Sequence, residues 1–284
     1  MNKLFIGAFA ISLSLNTYAE AVDLSSTAIA GQECSTKVLN LVSQNLKLQK
    51  FNDSLVASAC KKTTKGNENT VVALALKNGK ESDMDASEQQ KDLILALVNS
   101  DETSVIGSYK NIIEEDATLI IGSGSLKIDT ARYDLTSDIR AFGVTFSSSF
   151  SPSNCAHDGW TGDSKSLYIS EGAKIKKVFG GSTGLLLTSG NYVKDLDRCG
   201  EKYQRMLDKG YKDVIENFST TISIGNSTTN GFKDLILTSS STYEIEGEKS
   251  KSKRKPLTVN LHFNGNEYPL DDFEKAQSKW HWGK

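Results

Sequence analysis

Three histidines occur, His157, His262 and His281, and the stretch CAHDGWTGD sets the first among other reactive side chains: Cys155, Asp158, Trp160 and Asp163. Two carboxylates near an imidazole can divide acid and base roles when their environments split their pKa values. A loop pinned by a disulfide and carrying an aromatic can instead grip a ligand without converting it. His262 falls between Leu261 and Phe263 at an outward strand position, which reads as a surface residue. Ser250-x-x-Lys253 matches SxxK only formally, because it lies in a low-complexity basic run. No HExxH or GxxxxGK[ST] occurs, and the GSGS at Gly122–Ser125 precedes a strand rather than a helix, so it makes no phosphate cradle.

The run KSKSKRK, Lys249–Lys255, carries five cations in seven residues. Lys251, Lys253, Arg254 and Lys255 thereby become candidates for meeting an acidic partner, an anionic glycan or lipid head groups. The formal net charge is −2, which argues against nucleic acid as the main partner. No cofactor and no metal are expected, since CxxC and HxxxH spacings do not occur.

Location comes from the first residues. MNKLFIGAFAISLSLNTYAEA has Lys3 ahead of an uncharged apolar run from Leu4 to about Leu15, then small-residue sites at Thr17-x-Ala19 or Ala19-x-Ala21. This is the layout of a secretory signal peptide over residues 1–19. The run is shorter than the roughly 20 residues of a membrane span. Four cysteines follow, Cys34, Cys60, Cys155 and Cys199, and an even number in an exported chain reads as two disulfides. Of the possible pairings, Cys34–Cys60 and Cys155–Cys199 keep each bridge within one region. The expected compartment is the periplasm or the exterior.

After a flexible lead over 20–33, a single domain spans 34–284. Val38, Leu41, Val42, Leu46 and Gln49 fall at helical spacing behind a possible N-cap, Ser35. From Thr70 the chain reads mostly as strand. TVVALAL and KDLILALVN are apolar on both faces, as central strands are. The acids of EED at 114–116 read as a solvated turn. In RAFGVTF, Phe142, Val144 and Phe146 share one face, while Ala141, Gly143 and Thr145 share the other. LKIDT alternates likewise, but the parity slips before Tyr133 and Leu135, which predicts a bulge near Ala131. Asp129, Arg132, Asp138 and Arg140 can then pair around that hairpin. KSLYISEGAKIKKVFG turns at Glu171-Gly172. Leu196, Cys199, Tyr203, Met206, Leu207 and Val214 fit a helical stripe that Gly200 and Gly210 interrupt. Leu257, Val259, Leu261 and Phe263 alternate, and Asn264-Gly265 carries the signal of a type I′ turn. Trp280 and Trp282 fall on one side of an extended tail, exposed or docked on the domain.

KDLIL occurs twice, at Lys91–Leu95 and Lys233–Leu237. The fold expected is mainly β (α+β): antiparallel blade-like meander repeats over 70–113, 126–180 and 219–270, with a short N-terminal helix and an inserted helical segment.

The ordered series IDTARYDL…RAFGV, LYISEGAKIKKVF, Cys199-Gly200-Glu201 and GFKDLIL resembles a group of exported proteobacterial proteins that are remotely like FG-GAP β-repeat proteins. The resemblance implies fold and compartment rather than chemistry. The DxDxDG calcium loop of many such repeats does not occur; DMDASE has Asp83, Asp85 and Glu88 but lacks the turn glycine. The expected function is therefore a non-enzymatic exported binding protein, such as an inhibitor or immunity factor against an envelope-targeting toxin or hydrolase. The alternative is an envelope glycan or peptide hydrolase using His157, Asp158 and Asp163, or a carbohydrate-binding module using Trp160.

Overall fold

Alternating and doubly apolar strands make up most of a computed structural model, which describes residues 27–63, 68–78, 90–115, 120–147, 162–181, 184–192, 208, 214–245 and 251–282. The protein is mainly β. Ser35 caps the first helix, α1 (Thr36–Asn45), by accepting the Val38 N–H at 3.2 Å, as its position predicts. A short turn of helix, α2 (Phe51–Ser54), leads into β1 (Leu55–Lys62). Then come β2 (Thr70–Lys77), β3 (Gln90–Val98), β4 (Val105–Glu114), β5 (Leu126–Asp134), β6 (Arg140–Ser147), β7 (Asp163–Glu171) and β8 (Lys174–Phe179). These eight pair in the order β1-β2-β3-β4-β8-β7-β6-β5, and β9 (Leu185–Leu186) adds to β7.

The order has a consequence. The meander β2–β4 and the meander β5–β8 are joined by a parallel pairing of β4 with β8, at Ser108 and Lys174. The expected units 70–113 and 126–180 therefore share one sheet instead of standing as separate blades. That sheet curls until β1 lies beside β5, giving a nearly closed barrel. Its interior is filled by Ala57, Ala59, Val71, Ala73, Leu93, Leu95, Ile128, Phe142, Val144 and Tyr168, with further residues from the same rows. Eight strands enclose a space just wide enough for side chains. Tyr168 stacks on Phe142 with centroids 5.8 Å apart and meets Tyr109 edge-on at 5.3 Å.

The two outer flanks of the barrel are covered by different elements. Val72, Leu74, Leu76, Ile94 and Ala96 face outward onto Val38, Leu39 and Val42 of α1. On the β7–β8 flank, Leu167, Ile169, Val178 and Phe179 pack against a second sheet. It contains β10 (Thr188–Tyr192), β11 (Val214–Thr229), β12 (Phe232–Ile245), β13 (Lys251–Lys253) and β14 (Leu257–Leu261). A last helix, α3 (Asp271–Trp282), buries Phe273 in the same cluster.

Several sequence expectations hold in detail. The parity slip in β5 is a register shift between Asp129 and Tyr133. Cys34 and Cys60 form a disulfide. The hairpin at Glu171-Gly172 places Gly172 at φ 61°. Others change. Glu115, read as part of a solvated turn, is buried against Lys91. Val214, read as the end of a helical stripe, opens the long strand β11. Asn264-Gly265 makes no type I′ hairpin: only Gly265 has positive φ, and the Asn264 Oδ1 accepts the N–H groups of Asn266 and Glu267. The tail read as extended is helical, with Asp271, Asp272 and Glu274 complementing the dipole of its first turn. The pairing of Cys155 with Cys199, the signal segment 1–19 and the helical stripe up to Leu207 lie outside the described residues. Among the described residues, no helix is long and apolar enough to cross a membrane.

Candidate functional site

A cleft of about 960 Å³ opens where the α1–α2 connection passes over the outer faces of β2, β3 and β4. Its apolar lining comes from Leu46, Leu48, Leu76 and Ile94. Its charged lining comes from Lys47, Lys50, Lys77 and Lys110, with Asp53 and Asp92. The elements that shape it are rigid. Leu76 and Ile94 belong to central strands, and α1 is fixed by its buried face.

Among the described residues, the positive side of this cleft is paired only in part. Asp92 is held by Lys110, with Nζ 2.7 Å from Oδ2. Lys47 and Lys50 are exposed and make no ion pair or side-chain hydrogen bond among the described residues. Both have left-handed backbones, at φ 53° and φ 46°. Lys47 follows the last turn of α1, where its N–H donates to the Gln44 carbonyl and the next N–H donates to that of Ser43. Glycine is the usual occupant of such a helix-ending position. A residue with a Cβ costs about 1 kcal/mol there. Two lysines thus occupy strained positions in one short loop, over one cleft.

A second constellation lies on the outer face of the second sheet. The register Leu235↔Leu261 places Asp234 of β12 beside His262, just past β14. The Asp234 Oδ2 is 2.9 Å from the His262 Nδ1 and accepts the Ser227 hydroxyl at 2.6 Å. The Asp234 side chain is 1 % exposed, while that of His262 is 62 % exposed. β11 slips register between Ile224 and Thr228, which brings Ser227 over the carboxylate. Gly225 permits this approach, since a Cβ there would lie 3.1 Å from the Asp234 carbonyl oxygen. Burial pushes the Asp234 carboxyl up, but hydrogen bonds from Ser227, Thr229 and His262 outweigh it and hold the pKa below the usual value. The carboxylate orients the imidazole and leaves Nε2 toward solvent, the arrangement of a base-orienting pair.

The sign of the resulting pH dependence follows directly. A carboxyl whose folded pKa lies below its unfolded value stabilises fully above about pH 4. That contribution disappears as pH falls through the folded pKa. The gap in urea midpoint between wild type and Asp234→Asn is therefore expected to be widest near neutrality and to narrow at acid pH. A constant gap from pH 7 to about pH 2.5 contradicts the depressed pKa.

The residues singled out in the sequence do not converge. His157, Asp158 and Trp160 lie outside the described residues. Asp163 begins β7, where its carboxylate accepts the Ser147 hydroxyl at 2.6 Å and lies 3.4 Å from Lys127 Nζ. Beside it, Lys165 Nζ is 2.7 Å from Asp129 Oδ2, which also accepts the Tyr133 hydroxyl at 2.9 Å. This rung ties β5 to β7 across Gly143, where a Cβ would meet Asp129 and Lys165 at 3.2 and 3.3 Å. Arg140 pairs with Asp134 at 2.6 Å, not with Asp129 or Asp138.

Lys251 and Lys253 lie in β13, paired to β12, so this part of the basic run is edge strand instead of open loop. Arg254 lies over the Trp280 ring, 5.3 Å from its centroid, and donates to the Trp280 carbonyl. The Trp280 indole N–H donates to the Lys255 carbonyl at 2.8 Å. Trp280 is therefore docked, and Arg254 fastens α3. The Lys255 side chain is exposed.

Sequence reasoning missed both new constellations. Lys47 and Lys50 were hidden in LKLQKF because the helical spacing was extended through Gln49. Asp234 was counted only as part of the KDLIL echo, and its partner lies 28 positions away in sequence. Among the described residues, no group of three or more His, Cys, Asp or Glu side chains gathers as metal ligands do. Comparison of the chain with protein-family models, with curated proteins and with solved structures finds no match.

Proposed function

We propose that the protein is an exported, periplasmic, non-enzymatic binding protein, of the kind that acts as an inhibitor or immunity factor against an envelope-targeting toxin or hydrolase. The observation that carries this reading is the cleft between the 46–54 segment and β2–β4. It is concave, mixed apolar and charged, and mounted on buried strands, as a recognition surface must be. The Cys34–Cys60 disulfide supports an oxidising compartment, in line with the signal-like first 19 residues. The resemblance to exported FG-GAP-like proteins is part of the same proposal and rests on the sequence series alone.

The test fills the cleft. Ser108 lines it from β4, and Ser108→Trp places a large ring there. Wild-type protein is expected to capture a partner from periplasmic extract, and Ser108→Trp, with an unchanged circular-dichroism spectrum, is expected to lose it. Retention of the partner by Ser108→Trp sinks the reading. So does turnover of an envelope substrate by a wild type that captures nothing.

A second reading, an envelope glycan or peptide hydrolase, draws support from the Asp234–His262 pair. It predicts turnover that His262→Ala removes. A carbohydrate-binding module is the remaining alternative, and isothermal titration with envelope glycan fragments separates it from both.

A further inference from the structure

We infer that the cleft takes an acidic segment of the partner protein, with carboxylates set on Lys47 and Lys50 and an apolar side chain seated on β4. This rests on the reading that the cleft is the binding surface, and it adds the chemistry of the occupant.

Four observations support the assignment. Of the four lysines in the lining, Lys110 engages Asp92 and Lys77 has an interaction of its own, which leaves Lys47 and Lys50. Lys47 and Lys50 make no ion pair among the described residues. Each sits at a left-handed backbone position where glycine relieves strain. A cationic side chain in both places is explained by what it faces, not by what it does for the loop. Finally, the outer row of β4 continues the cleft wall as Ile106, Ser108, Lys110 and Ile112, and Ile112 is 48 % exposed beside Asp92 on β3. An exposed isoleucine adjoining a basic cleft matches a partner segment in which acidic and apolar residues alternate. Carboxylates then meet the lysines at the rim while apolar side chains cover Ile112 and the floor around Leu48 and Ile94.

The probe is a synthetic peptide of glutamates flanking two leucines, titrated into the disulfide-bonded wild-type chain and followed by amide NMR. Shifts are expected at 46–54, 76–78, 92–94 and 108–112. Lys47→Glu/Lys50→Glu is expected to weaken binding about tenfold or more, and added salt to weaken it in the wild type. A matching peptide with lysines for glutamates is expected not to bind. Lys47→Gly and Lys50→Gly are each expected to raise Tm by about 2 °C and to weaken peptide binding. A fall in Tm overturns the strain argument. Equal binding of both peptides, or of the glutamate peptide to the double variant, overturns the acidic assignment. Phosphatidylglycerol vesicles that bind wild type, and lose binding in the double variant as the peptide does, overturn the assignment to a protein segment. The two levels separate cleanly. A partner lost by Ser108→Trp but kept by Lys47→Glu/Lys50→Glu overturns only the acidic occupant. A partner kept by Ser108→Trp overturns the reading beneath it.

Discussion

Lys91→Met is expected to destabilise the protein by about 3–5 kcal/mol. Lys91 occupies the inward row of β3, next to Leu93 and Leu95, and is 4 % exposed. Its Nζ lies 3.0 Å from the Oε2 of Glu115, whose side chain is 3 % exposed. The other oxygen of Glu115 accepts the Ile121 N–H at 2.6 Å. Removing the lysine leaves a buried carboxylate without its counter-charge, and that desolvation exceeds anything the methionine returns through packing. Lys91→Met/Glu115→Gln is expected to recover most of the loss, because the amide oxygen still accepts from Ile121 and no charge remains to be solvated. Urea unfolding followed by circular dichroism measures both. A single-variant cost below about 1 kcal/mol shows that water reaches the pair.

The same pair shows where sequence reasoning stopped. Lys91 opens a doubly apolar strand, and Glu115 sits in an acidic triplet that read as a solvated turn, so nothing local paired the two. Only the β3–β4 register, Lys91↔Ile113, brings the two row ends together. What depends on period two was legible: the inward face of β6, the central character of β2 and β3, and the bulge in β5. What depends on pairing between distant strands was not. Nothing local in KVF or in VIGSYK announces that β8 will pair with β4, and that bridge merges two meanders into a barrel. α3 was legible in part, since Pro269 and three early acids are start signals, but the pair of tryptophans drew attention to an extended tail.

For the candidate site the limit was different. A conspicuous basic run was visible in one dimension, yet Arg254 proved to hold a helix in place. The lysines over the cleft are two isolated cations whose meaning lies in their φ angles. Backbone strain leaves no mark on composition, so nothing in the sequence singles out Lys47 and Lys50.

Loss of the Cys34–Cys60 bridge is expected to cost about 3–4 kcal/mol and to loosen one seam of the barrel before the rest. The bridge closes a loop of 26 positions, which sets the size of the entropic term. Its location sets where the effect appears. The Gln32 carbonyl accepts the Cys60 N–H of β1 at 2.8 Å. The Gln32 side-chain amide donates to the Ile128 carbonyl of β5 at 3.0 Å and accepts the Ile128 N–H at 2.7 Å. One glutamine thus bonds both barrel edges, doing with its main chain and its side-chain amide what an intervening strand does with its backbone. Thr27 supports it, meeting Ser58 through a hydroxyl pair at 2.8 Å and accepting the Gly124 N–H at 3.2 Å. Cys34→Ser/Cys60→Ser removes the covalent tie of this strap to β1 and leaves only hydrogen bonds there, and Gln32→Ala deletes its hold on β5. Amide hydrogen exchange is expected to accelerate at Ile128 in both variants, while Val144 and Tyr168 in the barrel wall keep the rate of global unfolding. If Ile128 in Gln32→Ala exchanges as slowly as Val144, β1 and β5 are held together without the strap, and the barrel is closed by its own strands.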